Sequence, residues 1–159
     1  MAGIAFVLLI CVAATRRPSA GLPEVPYPEH FRSWAHVKTG VVEKNNPAFA
    51  HWGGFHHIYA NEKAMAGYRS GSFPDGSVLV FDVLEALEKD NSLVEGPRRI
   101  VDVMVKDAAR YAATGGWGFE EFRGNSTTER LIRDSAVTAC YNCHTVRKTK
   151  DFVFSSYRE

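Results

Sequence analysis

The chain has 159 residues, 45% of them hydrophobic, 12% aromatic and 23% charged, with 19 Lys and Arg against 18 Asp and Glu. That length allows one domain with a real core, and a formal charge of +1 gives no support to a nucleic-acid partner. No low-complexity run or internal repeat marks a fibrous or solenoid class.

Residues Gly3 to Ala14 form an apolar run of about a dozen, too short to span a bilayer as a helix. The run reads as the core of a secretory signal over 1–20, with small residues for cleavage at Ala14 or Ala20. A lipid anchor on Cys11 is the alternative. Export places the remainder, 21–159, in the periplasm as one domain. Loss of 1–20 removes Arg16, Arg17 and Cys11, which leaves 17 basic residues against 18 acidic and only Cys140 and Cys143 as thiols.

Pro23, Pro26 and Pro28 predict an extended lead-in. From Glu29 to Lys38, Phe31, Trp34, Ala35 and Val37 recur at near-helical spacing, and Pro28 and Gly40 suit its ends, so a short helix is expected. Asn45-Asn46-Pro47 turns the chain toward Trp52-Gly53-Gly54. Phe55 to Ala60 is rich in aromatic and branched residues and predicts a strand. Asn61 is placed to cap a helix over Glu62 to Tyr68.

Phe73-Pro74-Asp75-Gly76 is a strong turn signal feeding Ser77 to Leu84, apolar on both faces and expected as a buried strand. Glu88 to Pro97 is polar and expected to loop back. Arg99 to Lys106 is a third predicted strand and Trp117 to Phe122 a fourth, after the Gly115-Gly116 turn. Thr127 or Thr128 is placed to cap a helix from Glu129 to about Ala139, with Leu131, Ile132 and Ala136 on one side. The tail, Asp151 to Phe154, is apolar enough to pack down. The order is α+β: about four antiparallel strands with helices before, within and after them.

The predicted last helix delivers Cys140-Tyr141-Asn142-Cys143-His144. Cys-x-x-Cys-His is the c-type haem attachment pattern: two thiols reach the two vinyl groups of one porphyrin, and the histidine takes an axial position on iron. A redox dithiol needs no histidine there. A zinc site needs four ligands, and the chain has no second cysteine pair.

Four blocks then occur in order: His57-Ile58-Tyr59-Ala60-Asn61; Phe73-Pro74-Asp75-Gly76-Ser77; Val103 to Asp107 with Gly115 to Phe119; and Cys140 to His144 with Asp151 to Phe154. From about Phe31 onward the chain resembles the cytochrome P460 superfamily, which includes the β-fold cytochromes c′. The resemblance implies a small antiparallel sheet of about four to five strands, with a few helices, around one covalently bound c-type haem, often in a homodimer. In the hydroxylamine-oxidising members, a lysine on the strand after the Pro-Asp-Gly turn is linked to the porphyrin. Here Phe81 stands at that place, and no lysine occurs from Ala64 to Ala86. The resemblance therefore favours the gas-binding branch, with apolar side chains over the distal face.

On this reading Cys140, Cys143 and His144 hold the haem, His144 as the iron ligand. Phe81, with Trp52 and Phe55, is expected to line an apolar distal pocket. A five-coordinate iron in such a pocket favours NO, with CO as a reporter, and disfavours O₂ for want of a hydrogen-bond donor. Electron transfer with a redox partner is a side capacity. Hydroxylamine oxidation and simple six-coordinate electron carriage are the alternatives. His56 or His57 could be a sixth ligand, but adjacent strand residues point to opposite faces. Met104 could also ligate. Arg69, Arg98 and Arg99 are candidates for the propionates, and Asp102 is the best carboxylate for proton transfer.

Overall fold

The computed structural model describes residues 22–158. The expected signal segment and its cleavage sites lie outside them. Five strands form one antiparallel sheet in sequence order: β1 (Ala35–Val42), β2 (Gly54–Ala60), β3 (Val78–Lys89), β4 (Ser92–Lys106) and β5 (Trp117–Arg123). A short helical turn, α1 (Phe49–Trp52), joins β1 to β2, and α2 (Glu62–Ser70) joins β2 to β3. The expected α+β class is what is found.

Alternation along the strands divides two layers. Val80, Val101, Val103 and Phe122 pack on one face against Val25, Phe31 and Tyr111, so the proline-rich lead-in covers that side. Leu79, Trp117 and Phe119 face the other way, where Ala64, Met65, Phe73, Ile132, Ala136, Phe152 and Val153 complete a second cluster. The expected packing of the tail is therefore found for Phe152 and Val153. Asn61 caps α2 by accepting the Ala64 backbone N–H through its side chain.

Three expectations are corrected. Residues 29–38 are not a helix: Phe31–Ser33 make a single 3-10 turn and the rest enters β1. Pairing of β1 with β2 satisfies a row of backbone groups that a ten-residue helix would need to satisfy alone, and alternation at Val37, Thr39 and Val41 suits it. Residues 88–97 are not a loop. Asp90 and Asn91 both adopt positive φ (50° and 58°), the backbone of a tight two-residue hairpin turn, and Lys89 pairs with Ser92. Residues 129–139 do not form one helix. Leu131 N–H donates to Glu121 C=O and Arg123 N–H to Glu129 C=O, so the segment first seals the open edge of β5. Only then does it wind, through a 3-10 turn (Arg133–Ser135) into a π-helical turn (Val137–Tyr141) and a last turn, α3 (Asn142–His144).

Gly54 shows why β2 starts where it does. Its φ is 109°, and a Cβ there would lie 2.0 Å from the Leu84 carbonyl oxygen, so no larger residue fits.

Candidate functional site

The sheet face opposite the lead-in carries parallel rows set by strand register. Leu79, Met104 and Phe119 make one row; Ile58, Phe81, Asp102 and Glu121 make the next, two residues along. Over these rows lies a cavity of about 290 Å³, closed on its far side by Cys140, Cys143, His144 and the tail residues Val153 and Phe154. The hydrogen bonds that hold this far wall come from Glu120. Its buried carboxylate accepts the backbone N–H of Ile132 and of Arg133 and pairs with Arg130 at 3.3 Å, which fixes the segment leading to the cysteines.

Cys140 and Cys143 are three residues apart, on one face of the π-to-α turn, and both line the cavity as free thiols. Burial, and then the carboxylates Asp102, Glu121 and Glu120, push the Cys140 thiol up to about 12, so it is not a redox thiolate. His144 donates from Nδ1 to the Phe152 carbonyl at 2.7 Å. That bond fixes the tautomer and leaves the Nε2 lone pair free for a metal. Burial lowers the pKa of His144 and keeps the imidazole neutral, as a ligand must be. Its ring packs 5.0 Å from Phe119 and 5.0 Å from Phe154.

Among the remaining candidates, Phe81 and Trp52 line the same cavity. Phe55 is not among its lining residues; it stacks on His57 at 5.9 Å. His57 lies with Asp82 on the covered face, bonded to Thr39, and its Nε2 is 2.9 Å from Glu95. His56 packs on Phe81 (4.4 Å between ring centroids), but its Nε2 is taken by the Trp52 carbonyl, and burial lowers its pKa. Met104 lines the same cavity, in the row of Leu79 and Phe119. Two arginines considered for propionates are committed elsewhere: Arg98 to the buried Asp82, and Arg99 to the carbonyls of Phe49, Ala50 and Gly53.

The wall is not wholly apolar. Asp102 accepts from the Trp52 indole N–H at 3.0 Å through Oδ2, and Glu121 stands across from it on β5. Glu121 in turn contacts His51 at 2.8 Å. Neither Glu121 nor His51 had a sequence signal of its own; strand alternation would have placed Glu121 beside Asp102 once the register was known.

A sheet-backed cavity, two unpaired thiols on one turn and a histidine with one nitrogen tied back together fit a porphyrin attached by thioethers. These features define a small α+β haem c protein. The chain belongs to the cytochrome P460 family, whose model matches residues 28–155. Membership implies a haem c cofactor; Cys140, Cys143 and His144 are the residues here that would hold it, and haem would supply an iron with a ligand position beyond the histidine. Comparison with curated proteins gave no match.

Proposed function

We propose that this is an exported mono-haem cytochrome with a five-coordinate iron, which takes up a small neutral gas, NO foremost, in the cavity opposite His144. Covalent attachment is through Cys140 and Cys143, and electron transfer with a redox partner accompanies binding. The observation that carries this reading is Phe81. It lines the cavity from β3, at the place where the resemblance implies a cross-linking lysine in the hydroxylamine-oxidising members, and among the described residues no lysine lines the cavity. Ile58 and Trp52 add apolar bulk beside it, and among the described residues no histidine other than His144 lines the cavity. Such a wall admits a neutral diatomic more readily than an anion, which would lose its hydration without replacement. Asp102 adds a carboxyl group to a wall expected to be apolar.

A second reading, a hydroxylamine oxidoreductase of the P460 type, is favoured by one observation. Asp102 and Glu121 share the cavity face and could accept protons from a substrate. Optical titration of the ferrous protein with NO and CO, and of the ferric protein with hydroxylamine, separates the two. Tight NO uptake without hydroxylamine turnover supports gas binding. A lysine–porphyrin bond found by mass spectrometry, or a six-coordinate low-spin ferric spectrum at neutral pH, overturns it.

A further inference from the structure

Beside the cavity lies a second, open groove lined by His51, Arg99, Arg123, Leu131 and Ser135. Trp52, Glu121 and Ala139 line both spaces, so they form the wall between them. Through that wall runs a chain of polar groups. His51, half exposed to the groove, meets Glu121 at 2.8 Å; Glu121 faces Asp102 across the strand pair; Asp102 borders the cavity and is held by the Trp52 N–H. Asp102 Oδ1 is closed to solvent and has no hydrogen-bond partner among the described residues. A buried carboxylate oxygen left so, beside a second carboxylate, is costly unless a proton lies between them. Two buried carboxyls facing each other across paired strands hold one proton more readily than none.

We propose that Asp102 and Glu121 share one proton and that His51 connects this pair to solvent, so that the protein takes up a proton when it is reduced. An electron from a one-electron donor adds negative charge beside the pair; one proton from the groove passes through His51 and Glu121 to the pair and balances it. Oxidation returns both. Burial and the Glu121 charge favour the protonated form of Asp102, in agreement. The charged and titratable groups around the pair are His51 on α1, Arg99 on β4, Glu120 and Arg123 on β5, and Cys140 on the π turn. The cysteine is consumed by haem attachment, and the Arg99 guanidinium is bound to carbonyls. The α1 turn that carries His51 and Trp52 is thereby clamped by Arg99, which keeps the route assembled.

The inference rests on the haem assignment but not on gas capture. The test is the reduction potential of the holoprotein between pH 5 and 8, with reduced-minus-oxidised infrared spectra. Wild type is expected to show a potential that falls with pH, toward the limit of tenfold per pH unit, about 59 mV for a one-electron couple. Glu121→Gln and Asp102→Asn should each lose at least half of that slope. His51→Ala should keep the slope but slow proton-linked reduction several-fold. A wild-type potential that does not move with pH, or a slope retained in both carboxyl variants, overturns the proposal. If those variants do not fold, wild type decides alone: a carboxylic C=O band that changes with redox state and shifts in D₂O supports it, and absence of the band overturns it. A holoprotein that binds no NO would defeat gas capture and leave this measurement intact.

Discussion

At the residue scale the site depends on what each side chain is prevented from doing. His144 cannot rotate freely, because Nδ1 is spent on the Phe152 carbonyl and its ring is wedged between Phe119 and Phe154, and burial disfavours its protonation. The thiols need only proximity. Cys143→Ala should leave at most a single thioether, and Cys140→Ala with Cys143→Ala none; haem staining of denatured protein on a gel checks this, with the double variant expected colourless. Asp102 makes a stability prediction with a definite sign. Its carboxyl sits above the unfolded value of about 3.9, so its stabilising contribution is complete below that pH and is lost as pH rises through the folded value. Asp102→Asn lacks this dependence. Relative to wild type, its unfolding free energy should therefore improve as pH rises from 4 and level off above the folded value, by up to about 1.4 kcal/mol per pH unit in between, as read from denaturant melts. A difference that is constant with pH would mean Asp102 is ionised in the folded protein.

At the element scale, the segment between β5 and the cysteines decides whether the haem ligands meet the sheet at all. It is tied by backbone bonds to β5 and by Glu120, which accepts the N–H groups of Ile132 and Arg133 from this segment, beside that of Glu121, and pairs with the Arg130 guanidinium. Glu120→Ala takes this acceptor from the buried Ile132 N–H and the part-buried Arg133 N–H and leaves Arg130 with the Val25 carbonyl. The expected cost is about 3 kcal/mol, read as a lower denaturant midpoint, together with reduced haem loading. Glu120→Gln, which keeps the acceptor, should recover part of both. The same element shows the limit of reading by periodicity. Leu131, Ile132 and Ala136 have helical spacing, and Thr127 looks like a cap, yet the exposed edge of β5 offers partners that a helix would forfeit.

At the scale of the whole molecule, β3 and β4 extend as a two-stranded ribbon well past their pairing with β2 and β5, which stops at Leu84 and Ile100. Leu87, Leu93 and Val94 on this ribbon are 43%, 49% and 37% exposed. An isolated ribbon with apolar side chains is marginal in water. We propose this ribbon as the contact surface of the homodimer that the resemblance implies. Sedimentation should give a dimer for the wild type and a monomer for Leu93→Glu, with the haem spectrum unchanged; a wild-type monomer would exclude the ribbon as a dimer interface.

Much of this was already written in the chain. Cys-x-x-Cys-His specifies its chemistry by local spacing alone, Asn61 its cap by local hydrogen bonding, and the strands at Phe55, Ser77, Arg99 and Trp117 by branched and aromatic runs that survive any context. β1 and the extended path of residues 129–132 were decided by tertiary structure, because their backbone partners lie on neighbouring strands, whereas the hairpin at Asp90-Asn91 is a local two-residue turn hidden by the polar composition around it. The site divides the same way. Phe81 could be placed by counting along a strand, whereas the meeting of His51, Glu121 and Asp102 required a register, and register is a property of the assembled sheet.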